Sequence, residues 1–229
     1  MRLSTRMLAS LIAVLGVTSL GAQGAKGPDK TASLLTSIDA HAAHYGDVAH
    51  QIWGFAEVGY QEVKSSALLQ SELSAAGFRM KPGIAGMPTA FTAEYGSGKP
   101  VIAILGEFDA LPGLSQDTTP EQHALVVGGA GHGCGHHLFG TAAAASAIAV
   151  KEWMIANKVA GTLRFYGTPA EEGGAGKVYM VRDGLFDDVD VAVTWHPSDQ
   201  NSVQATSSLA NISGKFRFHG ISAHAAGAP

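Results

Sequence analysis

Apolar side chains at Leu34, Ile38, Tyr45, Val48 and Ile52 recur on one helical face, so residues 33–53 are expected to form an amphipathic helix. A second helix is expected over residues 62–76, stopped by Gly77 at the position where a left-handed backbone closes a helix. Two short β-type runs follow at residues 90–95 and 101–105, parted by the turn segment Gly96-Ser97-Gly98-Lys99-Pro100. The second run, Val101-Ile102-Ala103-Ile104-Leu105, is apolar at every position, as expected of a strand covered on both faces. An Ala-rich helix over residues 141–157 then leads to a strand over 162–166, a helix over 174–183 and a strand over 189–195. This β-α-β alternation predicts an α/β fold with a mostly parallel sheet flanked by helices.

The first residues have a different pattern. Arg2 and Arg6 precede an almost uncharged apolar run over residues 7–20, and the small residues Gly21, Ala22, Gly24 and Ala25 follow. That is the layout of a secretory signal peptide over residues 1–24, and the run is shorter than the roughly 20 residues a bilayer core needs. The expected location is therefore periplasmic or secreted. No later stretch reads as long and unbroken enough to span a membrane, so no membrane association is expected once the signal is cleaved.

Composition narrows the function classes. The formal charge of −4 comes with no Lys/Arg cluster, which excludes a nucleic-acid partner because such binding needs a basic face. An apolar fraction of 46% excludes disorder as the main state. A single cysteine, Cys134, excludes an internal disulfide. Its neighbours His132, Gly133, Gly135 and His136 are not core residues, so in an oxidising compartment this thiol needs a chemical reason to be present.

Active sites of open α/β sheets lie beyond the carboxyl ends of the strands. Four groups fall at such places: Glu107 and Asp109; Cys134, His136 and His137; Glu171 and Glu172; and His196. A soft thiolate, imidazoles and carboxylates converging on one sheet edge point to a zinc-type site. The adjacent carboxylates of Glu171 and Glu172 point in different directions, so one can bind metal while the other handles protons. Blander readings exist for single members: His196 as a strand cap, the Glu pair as a solvated helix start. Cys134 with His136 or His196 could also form a nucleophilic thiol pair, which leaves the carboxylates unexplained. The segment Gly173-Gly174-Ala175-Gly176-Lys177 fails as a phosphate loop, because Glu171 stands where the leading glycine is required and Val178 where Ser or Thr is. His41, His44 and His50 fit a polar helix face, and they are read as structural, as are His123 and His219.

Five motifs occur in a fixed order: Gly106-Glu107-Phe108-Asp109-Ala110-Leu111-Pro112-Gly113, Gly131-His132-Gly133-Cys134-Gly135-His136, Pro169-Ala170-Glu171-Glu172-Gly173-Gly174, Trp195-His196-Pro197 and Ser222-Ala223-His224-Ala225-Ala226. Together they resemble the zinc-dependent aminoacylase and carboxypeptidase superfamily with a peptidase-dimerisation domain, in the branch of amidohydrolases that includes aminobenzoyl-glutamate hydrolases. The resemblance implies a zinc-exopeptidase-like catalytic domain that hydrolyses the amide of an N-acyl or aminobenzoyl amino acid. It implies Cys134, His136, Glu172 and His196 as metal ligands, and Glu171 as the general base acting on a metal-activated water. Asp109 is implied as the acid that orients a ligand from behind. His224 is implied as the dimerisation-domain histidine that steadies the carbonyl oxygen in a partner subunit's site. His137 stands where relatives carry Asp or Asn, and its role is left open.

The resemblance also implies a divalent-metal cofactor of two ions per complete site, zinc favoured with manganese or cobalt accepted, and a homodimer or a dimer of related subunits. Four ligands are few for two ions about 3.5–4 Å apart. Residues 1–24 are thus read as the signal, 25–212 as the first part of the catalytic domain and 213–229 as the start of a dimerisation (lid) domain. Family members continue beyond that point, so an incomplete fold is expected. The alternative reading is a truncated, non-catalytic exported metal-binding remnant.

Overall fold

A computed structural model of the chain describes residues 31–203 and, beyond them, residues 207, 210, 212, 214, 216, 217 and 219. The expected signal segment 1–24, His224 and most of 213–229 lie outside the described residues. The chain divides into two units, Met1–Pro197 and Ser198–Pro229. The described residues of the second unit carry no helix or strand.

The expected first helix is broken. Helix α1 spans Ala32–Ala40 and α2 spans Ala42–Phe55. At the break, His41 turns its ring back so that Nδ1 lies 2.8 Å from the Ser37 carbonyl oxygen. Helix α1 fully buries no residue and lies against the later helix His136–Asn157, where Ser37 Oγ donates to Glu152 at 2.9 Å, whereas α2 buries Val48, Ala49 and Ile52. Helix α3, Val63–Ala75, agrees with expectation and closes through Gly77 at φ +87°, with the Phe78 N–H donating to the Leu73 carbonyl at 3.0 Å.

Strand β1, Arg79–Pro82, was not expected, because its mostly exposed Arg-Met-Lys-Pro sequence has no apolar alternation to announce it. It is held as an edge strand by backbone pairing to β2, Phe91–Ser97. Strand β3, Val101–Glu107, is followed by α4, His136–Asn157, and β4, Gly161–Thr168. A one-turn helix α5, Glu171–Gly174, then α6, Gly176–Arg182, and β5, Val191–Val193, complete the sheet.

The strand order is β1-β2-β4-β3-β5. Helices flank the sheet as expected, but it is mixed rather than mostly parallel. The parallel part is β4-β3-β5, while β2 runs antiparallel to both β1 and β4. The short turn after β2 reverses the chain into β3, and β4, returning through α4 parallel to β3, inserts between the two and so runs antiparallel to β2.

Strand residues alternate between two cores. Phe91, Ala93, Leu163 and Phe165 pack with α2, α3 and α4, whereas Ala90, Ala103, Leu105 and Tyr166 pack with Met180 of α6. Each such large side chain contributes about 1.5–3 kcal/mol by leaving water. Helix α4 is a correction to the membrane reading: its 22 residues are long and apolar enough to cross a bilayer by length and composition. Much of that apolarity is instead buried, with Phe139, Ala143, Ala144, Ala147 and Ile148 in the core.

The crossover from β3 leads to β4 on one side, and that from β4 leads to β5 on the other side of β3. Connections leaving in opposite directions open a crevice at the carboxyl ends of these strands. The motifs lie there.

Candidate metal centre

Helix α4 begins five residues earlier than its Ala-rich pattern suggests, at His136 rather than residue 141. Two histidines and a glycine in the first turn read as loop. Gly135, at φ +88°, makes the turn into the helix, a backbone state that costs side-chain-bearing residues about 1 kcal/mol or more. This turn separates Cys134 from His136 and lets both face the sheet edge.

His136 is fully buried, and its Nδ1 lies 3.0 Å from Asp109 Oδ1 and 3.1 Å from the Asp109 carbonyl oxygen. Both partners only accept, so Nδ1 carries the proton and donates. The other oxygen of Asp109 accepts from the Glu172 backbone N–H at 2.8 Å, tying the post-β4 turn to the post-β3 turn. His196 is arranged in the same way: its Nδ1 lies 2.8 Å from the Pro197 carbonyl oxygen and its Nε2 lies 3.2 Å from Cys134 Sγ. Each imidazole thus has its Nδ1 tied to an oxygen and its Nε2 turned to a common space, the orientation that metal-ligating histidines adopt.

Donor atoms of Cys134, His136 and His196 lie within 4.8 Å of one another, as do those of Glu107, His136 and Glu171. Glu172 Oε1 and Glu171 Oε2 each lie 3.9 Å from His136 Nε2. One imidazole nitrogen serves one ion, so the two groups are not two complete sites. Buried and without a hydrogen-bond partner are His136 Nε2, Glu107 Oε2 and Glu172 Oε1. Three orphaned polar atoms around one point are costly unless something cationic joins them. With a thiolate, two imidazoles and carboxylates as donors, the residues present fit a divalent cation.

The electrostatics agree. Burial opposes a charge on His136, but the Asp109 hydrogen bond and the Glu107 carboxylate outweigh it and push the imidazole up to about 10. Burial and the carboxylate of Glu172, followed by Glu171 and Glu107, push the Cys134 thiol up to about 11. Without a cation the pocket is therefore too negative for a thiolate, and a bound ion inverts that balance. Burial, then the negative charge of Glu107, raises the Glu171 carboxyl above its ordinary value.

Glu62 supports the Glu171-Glu172 turn from beneath. Fully buried, it accepts from the Ala170 N–H at 2.8 Å and from Thr89 Oγ1 at 2.9 Å, and burial raises its carboxyl. Ala170 itself is left-handed at φ +56°.

The structure therefore brings together Cys134, His136, Glu171, Glu172 and His196, with Asp109 behind His136. His137 belongs to neither donor group. Its ring lies 5.0 Å from that of His132, whose Nε2 is 3.1 Å from the Ile52 carbonyl oxygen, and burial lowers the pKa of both. His44 pairs with Glu72 at 2.7 Å and His123 with Asp117 at 2.6 Å, away from the cluster. Sequence reasoning placed Glu107 among the groups at the sheet edge without assigning it a role, and it gave none to Lys177 or Glu62. The signal for Glu107 was its position at the carboxyl end of the central strand. Beside the glycine-rich segment, a cleft of about 500 Å³ is lined by Trp53, Phe55, Leu114, Val126, His132 and Gly133, among others.

The sequence profile of peptidase family M20/M25/M40 matches residues 103–217. The chain is 52% identical over 194 residues to one of the subunits of the p-aminobenzoyl-glutamate hydrolase of Escherichia coli, covering 84% of this chain and 40% of that protein. It is 30% identical over 205 residues to Xaa-Arg dipeptidase of Mus musculus, covering 84% of this chain and 43% of that protein. The chain thus spans about two fifths of the length of these curated relatives. Among solved structures it is similar to the Bacillus subtilis YXEP protein, described as a dinuclear metal binding peptidase from the M20 family. That similarity has a TM-score of 0.53 and 26% identity, over 67% of this chain and 42% of the other.

Proposed function

The chain belongs to peptidase family M20/M25/M40, and from that premise we propose that it carries the metal centre of an amidohydrolase acting on N-acyl or aminobenzoyl amino acids. One observation carries the reading: His136 and His196 both have Nδ1 tied to an oxygen, and both turn Nε2 toward the Cys134 and Glu172 side of the crevice. Cys134, His136, Glu172 and His196 hold the ion. The thiolate favours zinc, and manganese or cobalt is accepted. Two ions per complete site is the reading that the dinuclear neighbour supports.

When bound, the ion acidifies water and polarises the amide carbonyl. The chain's own residues do the rest. Asp109 fixes the His136 tautomer, so the imidazole cannot rotate its Nδ1 into the site. Glu171 is less buried than Glu172 and has a raised carboxyl pKa, which suits a group that accepts the proton of the attacking water and returns it to the departing amine. Trp53 and Phe55 in the cleft beside Gly133 offer flat apolar surface for an aromatic acyl group. His224, in the Ser222-Ala223-His224-Ala225-Ala226 motif, donates to the carbonyl oxygen from a homodimer partner or a related subunit. Residues 1–24 direct the protein to the periplasm or out of the cell.

The test is hydrolysis of p-aminobenzoyl-glutamate by the metal-loaded protein, followed as release of p-aminobenzoate. Glu171→Gln is expected to lower turnover about a thousandfold with metal content unchanged. Full turnover in that variant overturns the reading.

A further inference from the structure

Lys177 enters the cluster, yet the proposed hydrolysis gives it no role. The backbone that delivers it is closely constrained. After the left-handed Ala170, the chain makes the single turn α5, passes Ala175 at φ +55° and starts α6 at Gly176. A Cβ on Gly176 would lie 2.1 Å from the Pro169 carbonyl oxygen, so no other residue fits there. This is the glycine-rich segment that fails as a phosphate loop. What it presents is the Lys177 ammonium, which donates to Oε1 of Glu107.

Glu107 is 6% exposed, and with Oε1 taken only Oε2 remains. That oxygen lies 2.9 Å from His136 Nε2, and both atoms are buried with no other polar partner at hydrogen-bond distance. Two donors held about 2.1 Å from one ion lie about 3 Å apart at a right angle and about 3.4 Å apart at the tetrahedral angle. The observed spacing of 2.9 Å suits two ligands on one ion at a near-right angle, with Glu171 close by on the same side and free to handle protons. The Lys177–Glu107 pair accounts for Oε1 and leaves Oε2 turned toward His136 Nε2.

We propose that Glu107 is a further ligand of the ion held by His136, binding through Oε2 alone, and that Lys177 is the positioning residue that restricts it to that oxygen. The inference rests on the metal-centre reading. It adds an oxygen donor to a set otherwise short for its task, and it gives the Gly-Gly-Ala-Gly-Lys turn a function.

The experiment is a Co²⁺ titration of the chain, read by the thiolate-to-cobalt charge-transfer band and the visible d–d bands. Glu107→Gln and Lys177→Met are each expected to weaken Co²⁺ binding by about tenfold or more and to shift the d–d bands. Lys177→Arg, which restores a cation at Glu107 Oε1, is expected to bind within about threefold of the parent chain. The double variant is expected to be no weaker than Glu107→Gln alone, because the lysine acts only through that carboxylate. Thermal melting of each metal-free variant separates lost ligation from lost folding. Unchanged affinity and spectrum in Glu107→Gln overturn the inference. So does a loss in Lys177→Met that persists undiminished on the Glu107→Gln background. A parent chain with no charge-transfer band, or a band that survives Cys134→Ser, overturns the metal-centre reading instead.

Discussion

Asp109 Oδ1 accepts a hydrogen bond from His136 Nδ1 at 3.0 Å, with both side chains fully buried, and together with the Asp109 carbonyl oxygen at 3.1 Å it decides which nitrogen of the imidazole faces the crevice. The second oxygen of Asp109 holds the Glu172 backbone. A single carboxylate at the end of β3 thereby positions two candidate ligands that come from α4 and from the turn after β4.

Asp109→Asn removes half of that arrangement, because an amide offers one acceptor where the carboxylate offers two. Either the histidine is left with only the Asp109 carbonyl oxygen at 3.1 Å or the Glu172 N–H loses its partner. Metal affinity is expected to fall by about 10- to 100-fold. Competition with a chromophoric chelator measures it, and an affinity equal to that of the parent chain refutes the positioning role.

Metal binding is expected to release protons. In the metal-free chain His136 is pushed up to about 10 and Cys134 up to about 11, so at pH 7 both carry a proton that ligation must displace. Affinity therefore rises with pH, by about 100-fold per unit between pH 7 and 9 for two displaced protons, and levels off once pH passes those values. Calorimetry in buffers of different ionisation enthalpy counts the protons; release near zero at pH 7 contradicts the expectation. The same shift acts on the metal-free fold with a fixed sign. The folded pKa of His136 lies above its ordinary 6.5, so its stabilisation is complete below about pH 6.5 and is lost as pH rises through about 10.

The parts of this site that were legible in the sequence are those that rest on local signals. The apolar run 101–105 and the β-α-β spacing placed the sheet edge, and side-chain types alone nominated Cys134, His136, Glu171, Glu172 and His196. What was not legible depends on tertiary neighbours. The first turn of α4 forms through the Gly135 turn and Asp109, not through helix propensity. Strand β1 exists because β2 offers it an edge. Glu62 looks like an ordinary helix-start acid until Ala170 and Thr89 are folded onto it. Lys177 and Glu107 are 70 residues apart, and only the crossover through α4 and β4 brings them into contact.

Glu62 shows how support for the site doubles as stability. Glu62→Ala leaves the Ala170 N–H and the Thr89 hydroxyl without their acceptor inside the protein, for an expected loss of about 2–4 kcal/mol in the free energy of unfolding. Glu62→Gln keeps one acceptor oxygen and is expected to cost about 1 kcal/mol. Denaturant titration of both variants checks the order. Equal losses would mean that the side chain's volume, not its two oxygens, supports the turn.

Gly135→Ala tests the turn between Cys134 and His136 in two separable ways. A left-handed backbone at φ +88° costs alanine about 1 kcal/mol or more of stability. The added methyl also meets Pro197 Cγ at 3.0 Å, and Pro197 carries the carbonyl oxygen that orients His196. The variant is therefore expected to lose about 1–2 kcal/mol of metal-free stability and about tenfold in metal affinity. Gly135→Asn separates the two effects, since asparagine tolerates the left-handed region yet still has a Cβ facing Pro197. Stability measured by denaturation should recover in part while affinity stays low. If affinity recovers together with stability, backbone strain alone explains the loss and Pro197 has no part in placing His196.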